Sequence, residues 1–489
     1  MTNPTRLTDA AWAALAGLLM AAALPPFGWW PLAVAGAALL FARLDGRSWR
    51  RRLFIGWIAG LGLYVPGLWW IQEFSGVGFP VAMVIESLFI GAAAVVTPGG
   101  ARGWQRALAF PGAIVLAEAA RGRYPFGGVP LGGLDLGLVG SPLVPSARLA
   151  GHLVLAGLAA AAGVAVVSAR RARVLTAVVA LSVVLAVSIG GALTRPGRVT
   201  GHIRVAAVQG GGTRGLRAVH NDQGAVYQAH LAASAQVGRP VDLVVWPEDV
   251  IHVPQLAGSQ EDSELAALAD RLDASVVAGV VEDGGPSRFF NAAVAWAPGQ
   301  GEAARYDKVH RVPFGEYIPL RSLIKHVADL SLVPDDAVPG TRPGLLDLPA
   351  PAGRVGVVIS YEVFFADRAR AAIRAGGEIL LVPTNAASFK TGQVPAQELG
   401  AARLRAIETG RDVVQAAPTG YTAFVSARGT VRAHSRLGAR QVLTRTVAQR
   451  RGRTPYVRTG DAPLLLLSVV LVGMAWVRPK SPFRPWEAA

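Results

Sequence analysis

Apolar residues in the first part of the chain fall into long runs separated by short polar or Pro/Gly breaks, a rhythm that predicts helices crossing a bilayer. A span needs about 20 mostly apolar residues to cross the hydrocarbon core. Seven runs approach that length: Ala10–Leu24, Trp29–Phe41, Leu53–Ile71, Phe79–Val96, Leu108–Ala120, Leu149–Val167 and Val174–Leu193. Two of them are short, and Pro25-Pro26-Phe27-Gly28 predicts a tight turn between the first two. An eighth run follows at Pro463–Val477. The first run reads as a span and not as a cleaved signal peptide, because apolar runs continue directly after it.

Between the seventh and eighth runs the pattern changes. Short apolar runs occur at Ile203–Val208, Leu243–Trp246, Ser275–Val281, Ala292–Ala297, Val355–Ile359, Ile379–Val382, Val413–Ala417 and Thr422–Val425. Helical stretches such as Asp262–Leu272 and Gln397–Thr409 separate them. Such alternation predicts an α/β domain with buried strands. The expected organisation is a multi-span, seven-helix transmembrane bundle over 1–195, an α/β domain over 196–459, and a C-terminal transmembrane helix with a tail over 460–489.

Loop charges give an orientation. Arg43, Arg47, Arg50, Arg51 and Arg52 lie between the second and third runs, Arg102 and Arg106 between the fourth and fifth, and Arg170, Arg171 and Arg173 between the sixth and seventh. Basic loops are retained in the cytoplasm. The α/β domain is then extracytoplasmic, with both termini cytoplasmic and the tail residues Arg478, Lys480 and Arg484 inside. Arg121 and Arg123, between the fifth and sixth runs, run against this pattern.

Composition narrows the class further. Charged residues make up 16% of the 489, against about 25% in soluble chains. With 52% hydrophobic residues and a mean hydropathy of +0.38, the chain has too little polar surface for water throughout, and disorder is excluded. There is no cysteine, which rules out disulfides, thiolate metal sites and a cysteine nucleophile. A net charge of +16 invites a nucleic-acid reading. Only four of the 48 basic residues are lysines, however, and the arginines sit beside apolar runs without forming one basic stripe. Membrane topology accounts for that distribution, and no nucleic-acid partner is expected.

Three segments carry residues suited to catalysis. Val244-Val245-Trp246-Pro247-Glu248 puts a carboxylate just past a strand end. Arg305-Tyr306-Asp307-Lys308-Val309-His310 leads into Val312-Pro313-Phe314-Gly315-Glu316-Tyr317-Ile318-Pro319. Gly356-Val357-Val358-Ile359-Ser360-Tyr361-Glu362 ends a strand on a hydroxyl. Side chains at the carboxyl ends of strands line the ligand crevice of open α/β folds. A carboxylate, an amine and a nucleophile meeting there could perform acyl transfer, with the carboxylate as base and the amine steadying the oxyanion. Taken singly, each has a plainer reading: a helix N-terminal charge, a solvated lysine, a capping serine. Spacing alone does not choose between them.

These segments resemble the catalytic motifs of the carbon–nitrogen hydrolase (nitrilase) superfamily, whose triad is Glu, Lys and Cys. Set among eight predicted spans, and together with Pro25–Gly28, the Gly56–Trp70 helix, Glu118 with Arg121, and Arg403–Arg411, they resemble the apolipoprotein N-acyltransferase family. The resemblance covers nearly the whole chain. It implies an α-β-β-α sandwich carried by a membrane bundle in a bacterial inner membrane. It also implies a ping-pong transfer from a phospholipid donor, through an acyl-enzyme, to the N-terminal amine of a diacylglyceryl-cysteine lipoprotein, with no metal or other cofactor. By the same resemblance Glu248 is the general base and Lys308 the oxyanion-stabilising cation. Glu316 and Glu362 are supporting carboxylates, with Tyr361 and Asn385 as further supporting residues.

The chain departs from the family at two places. Ser360 stands where the family has Cys, and Thr384-Asn385-Ala386-Ala387-Ser388-Phe389-Lys390 stands where it more usually has Asp-Ala-Trp-Phe-Gly or an Asn-containing variant. Moving a proton from a thiol to a carboxylate spans ~4 pKa units, about 6 kcal/mol before the site tunes it. A hydroxyl starts far higher. Ser360 is therefore expected to hold the nucleophile's place with little or no turnover, as an engineered trap, a naturally inactive homologue or, least favoured chemically, a natural serine enzyme. Two other functions remain open: a membrane-tethered amidase for small amides, and a non-catalytic lipid- or lipoprotein-binding pseudoenzyme.

Other residues have mainly structural readings. Glu86 and Glu118 lie in apolar runs, where a charge is usually paired, and Arg121 is the expected partner of Glu118. His310 reads as a scaffold residue, and Trp29, Trp30, Trp69 and Trp70 read as interfacial anchors. Leu320–Val333 is expected to be either a lid dipping into the outer leaflet or a packed amphipathic helix.

Overall fold

The structure is a computed structural model that describes residues 4–100, 103–215, 222–326, 330–331 and 333–477. Arg102 and the tail cations Arg478, Lys480 and Arg484 lie outside the described residues, as does part of Leu320–Val333. The apolar runs of the first part form helices α1 (Pro4–Ala23), α2 (Pro31–Arg43), α3 (Trp49–Gly67), α4 (Gly78–Val96), α5 (Gly103–Arg121), the short α6 (Ala147–Ala150), α7 (Leu153–Arg170) and α8 (Val174–Leu193). Small residues let these helices approach closely. A Cβ built on Gly17 of α1 would lie 2.0 Å from the Ala59 carbonyl oxygen of α3, so only glycine permits that crossing. By length and composition, α4, α7 and α8 can each cross a membrane.

Two expected runs are broken. Leu53–Ile71 splits because Pro66, lacking an N–H, sits in the last turn of α3, and a separate 3-10 turn, Trp69–Glu73, follows. Leu149–Val167 splits at Gly151, whose φ of +78° ends α6. A side chain at Gly151 would strike the ring of Tyr456.

The arginines of the basic loops gather at one end of this bundle. Arg47 and Arg51 pair with Asp9, Arg106 and Arg171 with Asp45, and buried Arg52 donates to the Ala94 and Val95 carbonyls at the end of α4. The two arginines that break the loop-charge pattern are also held within the protein. Arg121 bonds Glu118 at 3.0 Å and lies 3.5 Å from Glu86, and Arg123 bonds Asp461 at 3.0 Å.

The central region forms two packed sheets. One contains β1 (Arg198–Gln209), β2 (Leu243–Val245), β3 (Ile251–Val253), β4 (Ser275–Asp283), β5 (Arg288–Ala297), β6 (Gly301–Asp307) and β7 (Asp336–Ala337). The other contains β8 (Leu345–Asp347), β9 (Arg354–Val357), β10 (Ile379–Pro383), β11 (Val413–Ala416), β12 (Ala423–Val425) and β13 (Val431–His434). A long strand, β14 (Gln441–Arg451), closes the first sheet against β1, giving the order β14-β1-β2-β4-β5-β6; the second runs β13-β12-β11-β10-β9-β8. Val205, Val245 and Val277 of the first sheet meet Val355, Val357 and Leu381 of the second in one apolar layer.

Helices α9 (Gln223–Ser234) and α10 (Gln260–Leu272) lie on the side of the first sheet. Beside the second sheet lie α12 (Ala366–Arg374) and α13 (Gln393–Thr409), with the four-residue α11 (Arg321–Ile324) earlier in the chain. The result is an α/β domain in α-β-β-α layers. Helix α13 also meets the bundle: Gln397 donates to the Gly67 carbonyl at 3.0 Å and accepts from the Gly132 N–H at 2.9 Å. The chain ends in α14 (Pro455–Thr459) and α15 (Ala462–Trp476).

Of Leu320–Val333, the described part forms only the single turn of α11, with Leu320 and Leu323 exposed.

Candidate active site

Lys308 follows β6 directly and is 2% exposed. Its Nζ donates to Glu248 Oε1 at 2.8 Å and to Glu316 Oε1 at 2.7 Å. Glu248 lies past the end of β2, and Glu316 sits in the turn where the Phe314 N–H bonds the Tyr317 carbonyl at 2.8 Å. Asn291 of β5 donates to both carboxylates, at 2.9 and 3.0 Å.

Burial alone would lower the Lys308 pKa, but the two carboxylates outweigh it and hold the ammonium above the ordinary lysine range. Burial raises the Glu248 carboxyl against the pull of Lys308. Glu248 is thus a stronger base than a solvated glutamate, beside a cation that keeps its proton.

Ser360 opens a 3-10 turn, Ser360–Phe364, just beyond β9. Its φ of +49° is left-handed, a conformation that costs a non-glycine residue about 1–3 kcal/mol and persists only where surroundings impose it. Glu362, fully buried, imposes much of it. One carboxylate oxygen accepts from the Ile359 N–H at 2.9 Å; the other accepts from the Val309 and His310 N–H groups at 2.9 and 3.0 Å. The Tyr306 hydroxyl lies 2.9 Å from both oxygens, and Arg368 is 3.5 Å away. A single side chain therefore ties the backbone after Lys308 to the backbone before Ser360.

The remaining supporting residues have separate tasks. Tyr361 donates its hydroxyl to the Gly128 carbonyl at 2.8 Å, joining the Ser360 turn to the loop after α5. Asn385 donates to Asp249 at 2.9 Å, bracing the residue next to Glu248. The His310 ring stacks on Phe365 at 3.6 Å, and burial lowers its pKa, so it stays neutral as a scaffold residue.

Asn291, Thr384 and Glu398 take part in these networks and were not singled out as site residues from the sequence. Thr384 Oγ1 lies 3.2 Å from Ser360 Oγ and 2.8 Å from Glu398 Oε1. Asn291 offered a faint signal, as an amide opening an apolar strand run. Glu398 offered none beyond its place in a helix.

Burial pushes the Glu398 carboxyl up to about 7 from 4.5. A raised folded pKa gives stability that is complete below the unfolded value and lost as pH climbs through the folded one. Between 4.5 and about 7 that amounts to roughly 3 kcal/mol. Glu398→Gln, which cannot ionise, is therefore expected to stabilise the protein above neutrality by an amount that vanishes in mild acid. Thermal unfolding in detergent at two pH values checks this, and an equal shift at both would refute it.

A small cleft lies between the bundle and α13, lined among others by Glu118, Arg121, Asp135, His152 and Arg405. It includes none of Glu248, Lys308 or Ser360. Among the described residues no group of three or more His, Asp or Glu side chains is arranged to hold a metal.

The layered α/β region matches the model of the Carbon-nitrogen hydrolase family over residues 204–456. Residues 16–166 match the Apolipoprotein N-acyltransferase N-terminal domain. The apolipoprotein N-acyltransferase of Azotobacter vinelandii is 31% identical over 95% of this chain and 94% of its own length. That of Geobacter metallireducens is 30% identical over 92% and 91%. Among solved structures, an amidase from Nesterenkonia sp. is similar at 22% identity and a TM-score of 0.39, covering 55% of this chain and 97% of its own. The chain belongs to the apolipoprotein N-acyltransferase family.

Proposed function

We propose that this protein moves an acyl chain from a phospholipid to the free α-amine of a diacylglyceryl-cysteine at a lipoprotein N-terminus. Ser360 Oγ attacks the donor's ester carbonyl, its proton leaves to a carboxylate base, and the lysophospholipid departs with a proton on its freed oxygen. The amine then attacks the acyl-Ser360 ester, forming an amide and restoring the hydroxyl. Glu248 is the base that the resemblance assigns, and Lys308 steadies the oxyanion in both steps. The observation that carries this reading is the clamp of Glu362, whose carboxylate bonds the backbone of both the Lys308 and the Ser360 segments.

Eight spans enclose this chemistry, with both termini cytoplasmic and the α/β domain outside. Two features support that placement. The basic loops cluster at one end of the bundle, while α13 docks against Gly67 and Gly132 at the other. Lipid-facing surface is plentiful: Leu175, Leu181, Ile189, Leu466 and Val469 are all exposed.

Incubation with phospholipid vesicles followed by mass spectrometry tests the reading, on this chain and on Ser360→Cys. An acyl adduct on Ser360→Cys, with or without one on the unmodified chain, supports acyl transfer. Adducts on neither would end it. One feature favours a non-catalytic role for the unmodified chain, namely the serine itself; an adduct confined to Ser360→Cys would mean that the acyl-transfer site is kept and only its nucleophile is lost.

A further inference from the structure

We propose that Ser360 is activated through a proton relay in which its hydroxyl proton passes to Thr384 while the Thr384 proton passes to Glu398. The inference rests on the acyltransferase reading and deepens it. Thr384 has a single hydroxyl proton and two oxygen neighbours, Glu398 Oε1 at 2.8 Å and Ser360 Oγ at 3.2 Å. Donation to the carboxylate is the stronger, charge-assisted bond. It leaves a lone pair on Thr384 facing Ser360, whose own proton then points along the chain toward Glu398.

Three further observations fit a proton acceptor better than a structural glutamate. Glu398 is 3% exposed, yet its Oε2 has no hydrogen-bond partner among the described residues, where buried polar atoms are normally satisfied. Burial holds its pKa at about 7, where a base can both accept and return a proton. Glu248, by contrast, is engaged by Lys308 and Asn291. A thiol gives up its proton readily enough to need one base; a hydroxyl gains from a second acceptor near neutrality.

The step balances without any outside reagent. The Ser360 Oγ–carbon bond forms as its proton moves to Thr384 and the proton of Thr384 moves to Glu398. When the intermediate collapses and the ester carbon–oxygen bond breaks, Thr384 gives its proton directly to the departing lysophospholipid oxygen as the proton on Glu398 returns to Thr384. Thr384 is unchanged, and Glu398 returns to its carboxylate.

The test measures the rate of acyl-adduct formation with phospholipid vesicles, in full-length protein, on either side of neutrality. In the Ser360 chain the rate is expected to rise as pH passes through about 7. Glu398→Gln and Thr384→Val should each lower it by roughly a hundredfold and flatten that rise, while Thr384→Ser should retain most of it. In the Ser360→Cys background the same two variants should lower the rate at least about tenfold less than they do in the Ser360 chain, and parallel unfolding curves show that they fold. Equal losses in both backgrounds, or a pH rise that survives Glu398→Gln, would overturn the relay. An adduct on Ser360→Cys with none on the Ser360 chain would overturn it too, leaving the acyltransferase reading intact. Adducts on neither would remove both.

Discussion

Lys308→Met, introduced into the Ser360→Cys background, is expected to abolish acyl-adduct formation, a fall of about a thousandfold. The substitution keeps the length and apolar stem of the side chain and removes only the charge. Glu248 and Glu316 both bond that charge, within 2.8 Å, and share Asn291 as their other common donor. Without the ammonium, the buried Glu248 and the partly buried Glu316 carboxylates face one another across a single amide. Breaking a buried pair in this way costs about 3–5 kcal/mol, because the remaining charge has lost its compensation. The cluster then relieves itself by taking up a proton, and the base is neutralised as the oxyanion loses its cation. Mass spectrometry of the adduct and a parallel unfolding curve separate the two effects. A folded Lys308→Met chain with full adduct yield would remove Lys308 from the mechanism.

Glu362→Ala should have the second largest effect, by a different route. Glu362 touches no reacting atom, but it receives the Ile359, Val309 and His310 N–H groups and the Tyr306 hydroxyl. Each buried donor left unpaired costs about 1–3 kcal/mol, tempered by local relaxation. The left-handed Ser360 then loses its main restraint, and the turn is free to relax toward an ordinary conformation. A misplacement near 1 Å costs about a hundredfold in rate. The expected outcome is a lower unfolding temperature and a roughly hundredfold slower adduct, with Glu362→Gln intermediate because one acceptor oxygen survives. A normal adduct rate in folded Glu362→Ala would mean that the turn holds Ser360 unaided.

The strand runs read from hydrophobicity correspond to β1, β2, β4, β5, β9, β10, β11 and β12; most of their side chains are buried, in β1 only those from Ile203 onward apart from Arg204. The strands that hydrophobicity did not mark include β6 and β14, and the reason is physical. Both lie at sheet edges, and Gly301–Asp307 and Gln441–Arg451 carry polar side chains on a half-exposed face, so backbone pairing specifies them more than apolar content does. Missing β6 hid the fact that Lys308 is aimed by the end of a strand. The breaks at Pro66 and Gly151 were written in the chain as ordinary helix punctuation, yet the runs around them were apolar enough to read straight through.

The chain's own pattern determined that an apolar helical part and an α/β part exist, and which residue types could carry acyl transfer: Glu248 and Ser360 were visible as polar groups at strand ends, and Lys308, Glu316 and Glu362 as charged groups in the segments beside them whose roles the family resemblance implied. Periodicity reports whether a position is buried, because that depends on its immediate neighbours along the chain. It does not report which buried polar groups meet, since that depends on how two sheets and a bundle are laid against each other. Asn291 reaching Glu248, and Glu398 reaching Ser360 through Thr384, are consequences of that packing, which brings together side chains far apart in the chain.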